Sequence, residues 1–151
     1  MIREKELPRP DDFRFQCEVE VRFRDLDAMG HVNNAAYFTY FEVARTGYMR
    51  ALGHSRDEDD LLALYPFILL EVRCRFVSPA GLSERLLVFL RTAFMGSKSF
   101  VFEYLITGKD DSRVVAVGRS IQVYYDYQKK CTLPIPDNFR ARIETFEFAP
   151  K

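Results

Sequence analysis

The chain has 151 residues, the length of one domain with a sizeable core, and its 22 basic and 22 acidic side chains cancel to zero formal charge. That balance argues against the basic surface of a nucleic-acid binder, and no apolar run of ~18 residues is present to span a membrane. Fourteen phenylalanines and eight tyrosines, with no tryptophan, point to an aromatic core or pocket.

Residues 1–12 carry Pro8 and Pro10 among alternating charges and read as a flexible arm, leaving 13–151 as a single domain. Residues 14–23 alternate as a strand, with Phe15, Cys17, Val19, Val21 and Phe23 on one face. A turn over 24–33 follows. Asn33 or Asn34 is placed to cap a helix by accepting from an N–H two or three residues on. The helix runs to about Leu52, where Gly53 can close it. Its polar positions, Glu42, Arg45, Thr46 and Arg50, form a narrow stripe, so the rest should be buried. At ~18 residues it would be about 27 Å long, enough to cross a sheet that wraps around it.

Residues 54–64 begin as a charged loop holding His54 and can end in a short helical turn. Four more strands are expected at Phe67–Val77, Arg85–Phe94, Ser99–Thr107 and Arg113–Tyr125. Short turns make the last three an antiparallel meander. Pro134 and Pro136 precede a short helix around 137–143. The result is an α+β domain with a largely antiparallel, five-stranded sheet. Cys17, Cys74 and Cys131 are odd in number and lack a Cys-x-x-Cys pair, so neither a disulfide framework nor a zinc site is indicated. The charged N-terminus has no apolar signal core, and the expected compartment is the cytoplasm.

Residues 22–45 carry the most functional information. The strand ends in Asp25 and Asp27, a turn brings Gly30 and His31, and Asn33 and Asn34 open the helix. A carboxylate, an imidazole and the free N–H groups of a helix start thus lie within a few residues. Unpaired donors and partial positive charge at a helix start suit a carbonyl oxygen that becomes negative during reaction. The combination reads as acyl chemistry. No Gly-x-Ser-x-Gly elbow is present, and two histidines, one in a loop, leave little from which to build a Ser-His-Asp triad.

Asp25, Asp27 and Gly30, followed by Asn34 and Tyr37, resemble the Asp-x-Asp-x-x-Gly signature and Asn-x-x-Tyr helix start of the 4-hydroxybenzoyl-CoA thioesterase-like branch of the hotdog-fold proteins. The resemblance extends more loosely over residues 14–130. It implies a hotdog fold, a long helix wrapped by a curved sheet, assembled as a homodimer or homotetramer with sites between subunits. It also implies an acyl-CoA thioesterase with Asp27 as the catalytic carboxylate and a backbone N–H near Asn34 as the oxyanion donor. Coenzyme A enters as part of the substrate, with no metal or other cofactor.

Asp25 reads as structural, orienting the loop or pairing with Arg22, Arg24 or a partner chain. Asp27-x-Met29-x-His31-Val32-Asn33-Asn34 also resembles the Asp-x-Asn-x-His-Val-Asn-Asn run of plant-type fatty acyl-carrier-protein thioesterases, with Met29 replacing the middle Asn. His31 is therefore divided between a catalytic role and ordering the loop. Tyr37 either lines the acyl pocket or is a buried core ring. Glu42 can pair with Arg45 or Arg73, or face a neighbouring subunit's pocket. Lys98 and Ser99, before Phe100, resemble the basic hairpin that family members place near the nucleotide, with Gly96 and Ser97 replacing its other basic residues. Two other functions remain open: a non-catalytic acyl-CoA-binding module, and a hydrolase of acyl-carrier-protein thioesters. Hydration of an enoyl thioester is disfavoured by the paired-Asp motif.

Overall fold

The computed structural model describes residues 7–53 and 60–150. His54 and most of the charged loop lie outside them. The elements in chain order are β1 (Phe15–Glu20), α1 (Ala36–Ala51), α2 (Leu61–Leu64), β2 (Phe67–Phe76), β3 (Arg85–Met95), β4 (Ser99–Gly108), β5 (Val114–Asp126), β6 (Cys131–Thr132) and α3 (Asp137–Phe148). The sheet order is β1-β3-β4-β5-β2, antiparallel throughout, and β6 adds a two-residue pairing to β5. Tight turns make β3, β4 and β5 the expected meander. β1 and β2 take its opposite flanks, so the outer edge of β2 has no strand partner among the described residues.

Register shifts at Leu69/Glu71, Thr92/Phe94 and Ile106/Thr107 mark irregularities that curl a sheet. Its concave face presents Leu86, Val88, Leu90, Phe100, Phe102, Tyr104 and Ile106, and α1 lies against it with Phe41, Ala44, Tyr48 and Met49 fully buried. Phe41 stacks on Tyr104 with ring centroids 4.2 Å apart. Tyr48 donates to Glu147 on α3 (2.6 Å), and that carboxylate also accepts from the Thr92 N–H (2.8 Å), so α3 closes one end of the core. Gly53, at φ +68°, ends α1 as expected.

Several expectations are corrected. Among the described residues the sheet has six strands rather than five, because the two-residue β6 is too short to leave a periodic signal. α1 starts at Ala36 and has 16 residues, and α3 extends to Phe148. Phe23 is 82% exposed, because the chain leaves strand geometry at a 3-10 turn over Phe23–Asp25. Arg45 is buried, donating to the Tyr104 hydroxyl (3.2 Å), whereas Phe38 and Val43 are exposed. Part of the N-terminal arm is packed: Pro10–Asp12 form a 3-10 turn, and Phe13 rests against Phe89 on the convex face (5.8 Å).

Gly118 sets how closely α1 can approach the sheet. A Cβ there would sit 2.6 Å from Cε2 of Phe41 and 3.1 Å from the Arg73 carbonyl oxygen. Gly118→Ala should therefore cost about 2 kcal/mol, the usual scale of overpacking a filled core. The check is a lower urea midpoint at unchanged m-value.

Candidate active site

The loop between β1 and α1 is organised around Asp25, whose side chain is 3% exposed. Its Oδ2 accepts from the Arg22 N–H (3.0 Å), the Arg22 Nε (3.2 Å) and the Tyr40 hydroxyl (2.9 Å), and its Oδ1 accepts from the other fork of Arg22 (2.8 Å). The Asp25 carbonyl accepts from the Asn33 N–H (2.7 Å). One residue thus ties the end of the first strand, the helix start and the second turn of α1 together. Burial pushes the Asp25 carboxyl up, but the bonds from Arg22 and Tyr40 outweigh it and hold the group below its ordinary range. Tyr40, one turn after Tyr37 on the helix face, was not singled out in the sequence.

Asp27 occupies the next turn. Its N–H donates to the His31 carbonyl (2.8 Å), and its Oδ1 accepts from the Met29 N–H (2.9 Å) and the His31 N–H (3.3 Å). Gly30, at φ +77°, makes that reversal possible. The side chain is half-buried, and its Oδ2 has no hydrogen-bond partner among the described residues. Asp27 therefore shapes the loop with one oxygen and leaves the other available.

His31 is exposed and bridges to Gly81, while Val32 donates to the Ala80 carbonyl (2.9 Å). The segment that receives them is pinned by Arg113, which donates to Ser78 (3.1 Å), Pro79 (3.1 Å) and Glu84, while Glu84 accepts from the Gly81 N–H (3.0 Å). This clasp was also missed; it joins residues far apart in sequence. The Asn33 side chain accepts from the Ala35 N–H (2.9 Å), which closes a turn ahead of the helix; the N-cap is Ala35, without a side-chain cap, so neither Asn33 nor Asn34 is the cap expected from the sequence. The Asn34 N–H has no acceptor among the described residues and stands free at the helix start.

Tyr37 is buried, its ring against Phe76 (5.2 Å) and Tyr40 (5.9 Å), and burial, followed by nearby Cys74 and Glu84, pushes its hydroxyl to about 12. Lys98 and Ser99 lie at the other end of the sheet. The loop packs beside the start of β3, whereas Lys98 follows its end, and those 11 residues span about 35 Å. One chain brings Asp27, His31, Asn34 and Tyr37 together and keeps Lys98 and Ser99 away from them. Around the loop, Phe23, Met29 and Leu82 are exposed, as are Phe76 and Val77 at the end of β2.

Among the described residues, no group of three or more His, Cys, Asp and Glu is arranged to hold a metal, and no helix is long and apolar enough to cross a membrane.

The sequence model of the thioesterase-like superfamily matches residues 21–143. The chain is 25% identical to the long-chain acyl-CoA thioesterase FadM of Escherichia coli, covering 85% of this chain and 96% of that protein. It is 27% identical to a chloroplastic acyl-acyl carrier protein thioesterase of Arabidopsis thaliana, covering 87% and 68%. An uncharacterised Bacillus subtilis relative, 29% identical, is spanned for 60% of its own length. Among solved structures, a Thermus thermophilus thioesterase complexed with coenzyme A and Zn superposes with a TM-score of 0.81 at 31% identity, covering 93% of this chain and 99% of that one. Its likeness and that of the other neighbours make the curled sheet around α1 a hotdog fold.

The Asp25 cluster gives a pH signature. Because its folded pKa is depressed, its contribution to stability is present above the ordinary carboxyl value of 3.8 and is lost as pH falls below it. Asp25→Ala, which leaves the Tyr40 hydroxyl and Arg22 without their acceptor, should cost about 3 kcal/mol at pH 7, or roughly 10 °C in Tm. Thermal melts from pH 7 to pH 3 should show the difference between wild type and variant shrinking at the acid end.

Proposed function

Because the chain belongs to the thioesterase-like superfamily, we propose that it hydrolyses acyl-thioesters, with acyl-CoA as substrate and Asp27 as the catalytic carboxylate. The observation that carries this reading is the free Oδ2 of a half-buried Asp27 in the same loop as the free N–H of Asn34. A thioester carbonyl has weak resonance stabilisation, so one placed carboxylate and one donor array suffice. Oδ2 takes a proton from water as the water oxygen bonds to the carbonyl carbon. The helix start stabilises the oxyanion. The C–S bond then breaks, and the thiolate leaves with the proton that Asp27 held. Direct attack by Asp27, giving an anhydride that water cleaves, uses the same atoms. His31 borders the same loop and can assist as a base or order it.

Acyl-CoA is preferred because the Escherichia coli relative acts on long-chain acyl-CoA and the Thermus structure holds coenzyme A. The runner-up is an acyl-carrier-protein thioester, favoured by the Arabidopsis relative and by the Asp27–His31 spacing. A homo-oligomer completes the site in this reading. The free edge of β2, with exposed Leu69 and Leu70, offers a second copy a strand to pair with, and a second copy can bring Lys98 to a phosphate that one chain cannot reach.

Asp27→Asn keeps the turn bonds and removes the base. It should lower kcat by about 10²- to 10⁴-fold with an unchanged melt. Asp25→Asn should cost much less in kcat and more in Tm. Normal turnover by folded Asp27→Asn, assayed by thiol release across short, long and aromatic acyl-CoAs, sinks the assignment. Saturable acyl-CoA binding without thiol release by the wild type would favour a binding module instead. Lys98→Ala should raise KM for acyl-CoA with little change in kcat, because a contact remote from the carbonyl is equal in ground and transition states.

A further inference from the structure

The convex face of the sheet carries a row of charge that the candidate active site does not use. Arg91 on β3 faces Glu103 on β4, Glu103 faces Arg119 on β5, and Arg119 faces Arg73 on β2. Arg75 lies two residues further along β2, on the same face and opposite Val117. Four arginines therefore share this face with two acids, Glu103 and Glu71. Glu103 is engaged by Arg91 (2.7 Å and 2.9 Å), and Arg73 pairs with Glu71 (2.9 Å). Arg119 and Arg75 have no carboxylate partner among the described residues. Like charges directly opposite each other on neighbouring strands destabilise a sheet; at the Arg119–Arg73 pairing Glu71 offsets the charge of Arg73, and Arg119 is left with Glu103 opposite it but without an ion pair.

The row lines a groove of about 580 Å³, floored by the backbone of Cys74, Tyr104 and Gly118 and bounded at one side by Leu7, Pro8 and Val117. It is separate from the catalytic loop. Arg91 is six residues along β3 from Arg85, which is next to that loop, about 20 Å of strand.

We propose that this groove is a binding site for a diphosphate group, of the kind carried by nucleoside diphosphates and by coenzyme A. Arg119 and Arg75 are its unpaired cations, Arg73 is drawn in from an exposed pair with Glu71, and Arg91 stays on Glu103 and borders the groove. Guanidinium forks match phosphate oxygens two at a time, and adjacent strands set two such forks about 5 Å apart at their Cβ atoms. The apolar wall beside the row gives a base or pantetheine-like tail somewhere to rest.

Calorimetric titration of Asp27→Asn protein with inorganic pyrophosphate, ADP and coenzyme A tests this without turnover and independently of the catalytic assignment. Saturable pyrophosphate binding is expected, weakened at least tenfold by Arg119→Gln and by Arg75→Gln. Arg119→Gln should leave Tm unchanged or raise it, because it removes a like-charge contact, whereas a structural arginine would lower it. Loss of both ADP and coenzyme A affinity in Arg119→Gln assigns the site to the shared diphosphate; loss for ADP alone assigns it to free nucleotides. No saturable pyrophosphate binding at millimolar concentration, or equal binding by the arginine variants, overturns the proposal. Arginine-dependent self-association without pyrophosphate binding does so as well, since it gives the face to a second copy of the chain.

Discussion

The carboxylate of Asp25 joins three parts of the chain that would otherwise be independent. Arg22 reaches it from the end of the first strand, Tyr40 from α1, and its own carbonyl holds the N–H of Asn33. With these fixed, the chain between Leu26 and Val32 has little freedom left, and Leu26 bridges Val32 across the neck of the loop. Asp27 can then spend one oxygen on the Met29 and His31 N–H groups and hold the other in a defined place. A buried acid with its lone pairs occupied orients a half-buried acid with one free oxygen. The paired aspartates differ by environment: the Asp25 carboxylate is saturated with donors, whereas Asp27 keeps one oxygen free, as the proposed catalytic role requires.

Much of this was legible in the sequence. The strands of the meander and the apolar helix follow from period and from short turns, and Gly53 marked the helix end. The loop residues Asp25, Asp27, Gly30 and His31 are local in sequence, so their proximity could be read directly. Phe23 could not be placed, because its alternation with Val21 continues into a segment where the Arg22–Asp25 pair imposes a 3-10 turn. Arg45 reads as one position of a polar stripe, and only the sheet shows that Tyr104 lies opposite to accept from it. The strand order, the clasp of Arg113 and the convex arginine row depend on register between distant residues. Single-sequence patterns carry no register across strands 40 residues apart.

Gly118 and Asp25 act on neighbouring residues of α1. Gly118 lets Phe41 settle against the sheet, while Asp25 holds Tyr40 beside it and the Asn33 N–H ahead of the helix. The free N–H of Asn34 lies in the turn two residues before α1, next to the Asn33 N–H that the Asp25 carbonyl holds. For an oxyanion donor this matters more than donor strength, because a preorganised dipole needs no rearrangement as charge develops.

That same close packing constrains where an acyl chain could lie under the proposed activity. Phe41, Ala44, Tyr48 and Met49 are fully buried against the concave face, so the space between α1 and its own sheet is already filled. An apolar substrate tail is left with the outward side of the helix, where Phe38 and Val43 are exposed, and with the rim made by Phe23, Met29 and Leu82. In one chain that surface faces solvent, which stabilises a bound hydrocarbon poorly. A second copy paired along the free β2 edge would cover apolar surface at Leu69, Leu70 and Phe76 and could enclose this side of the helix. Burial of the acyl chain and burial of the sheet edge then become one requirement, met by the same association.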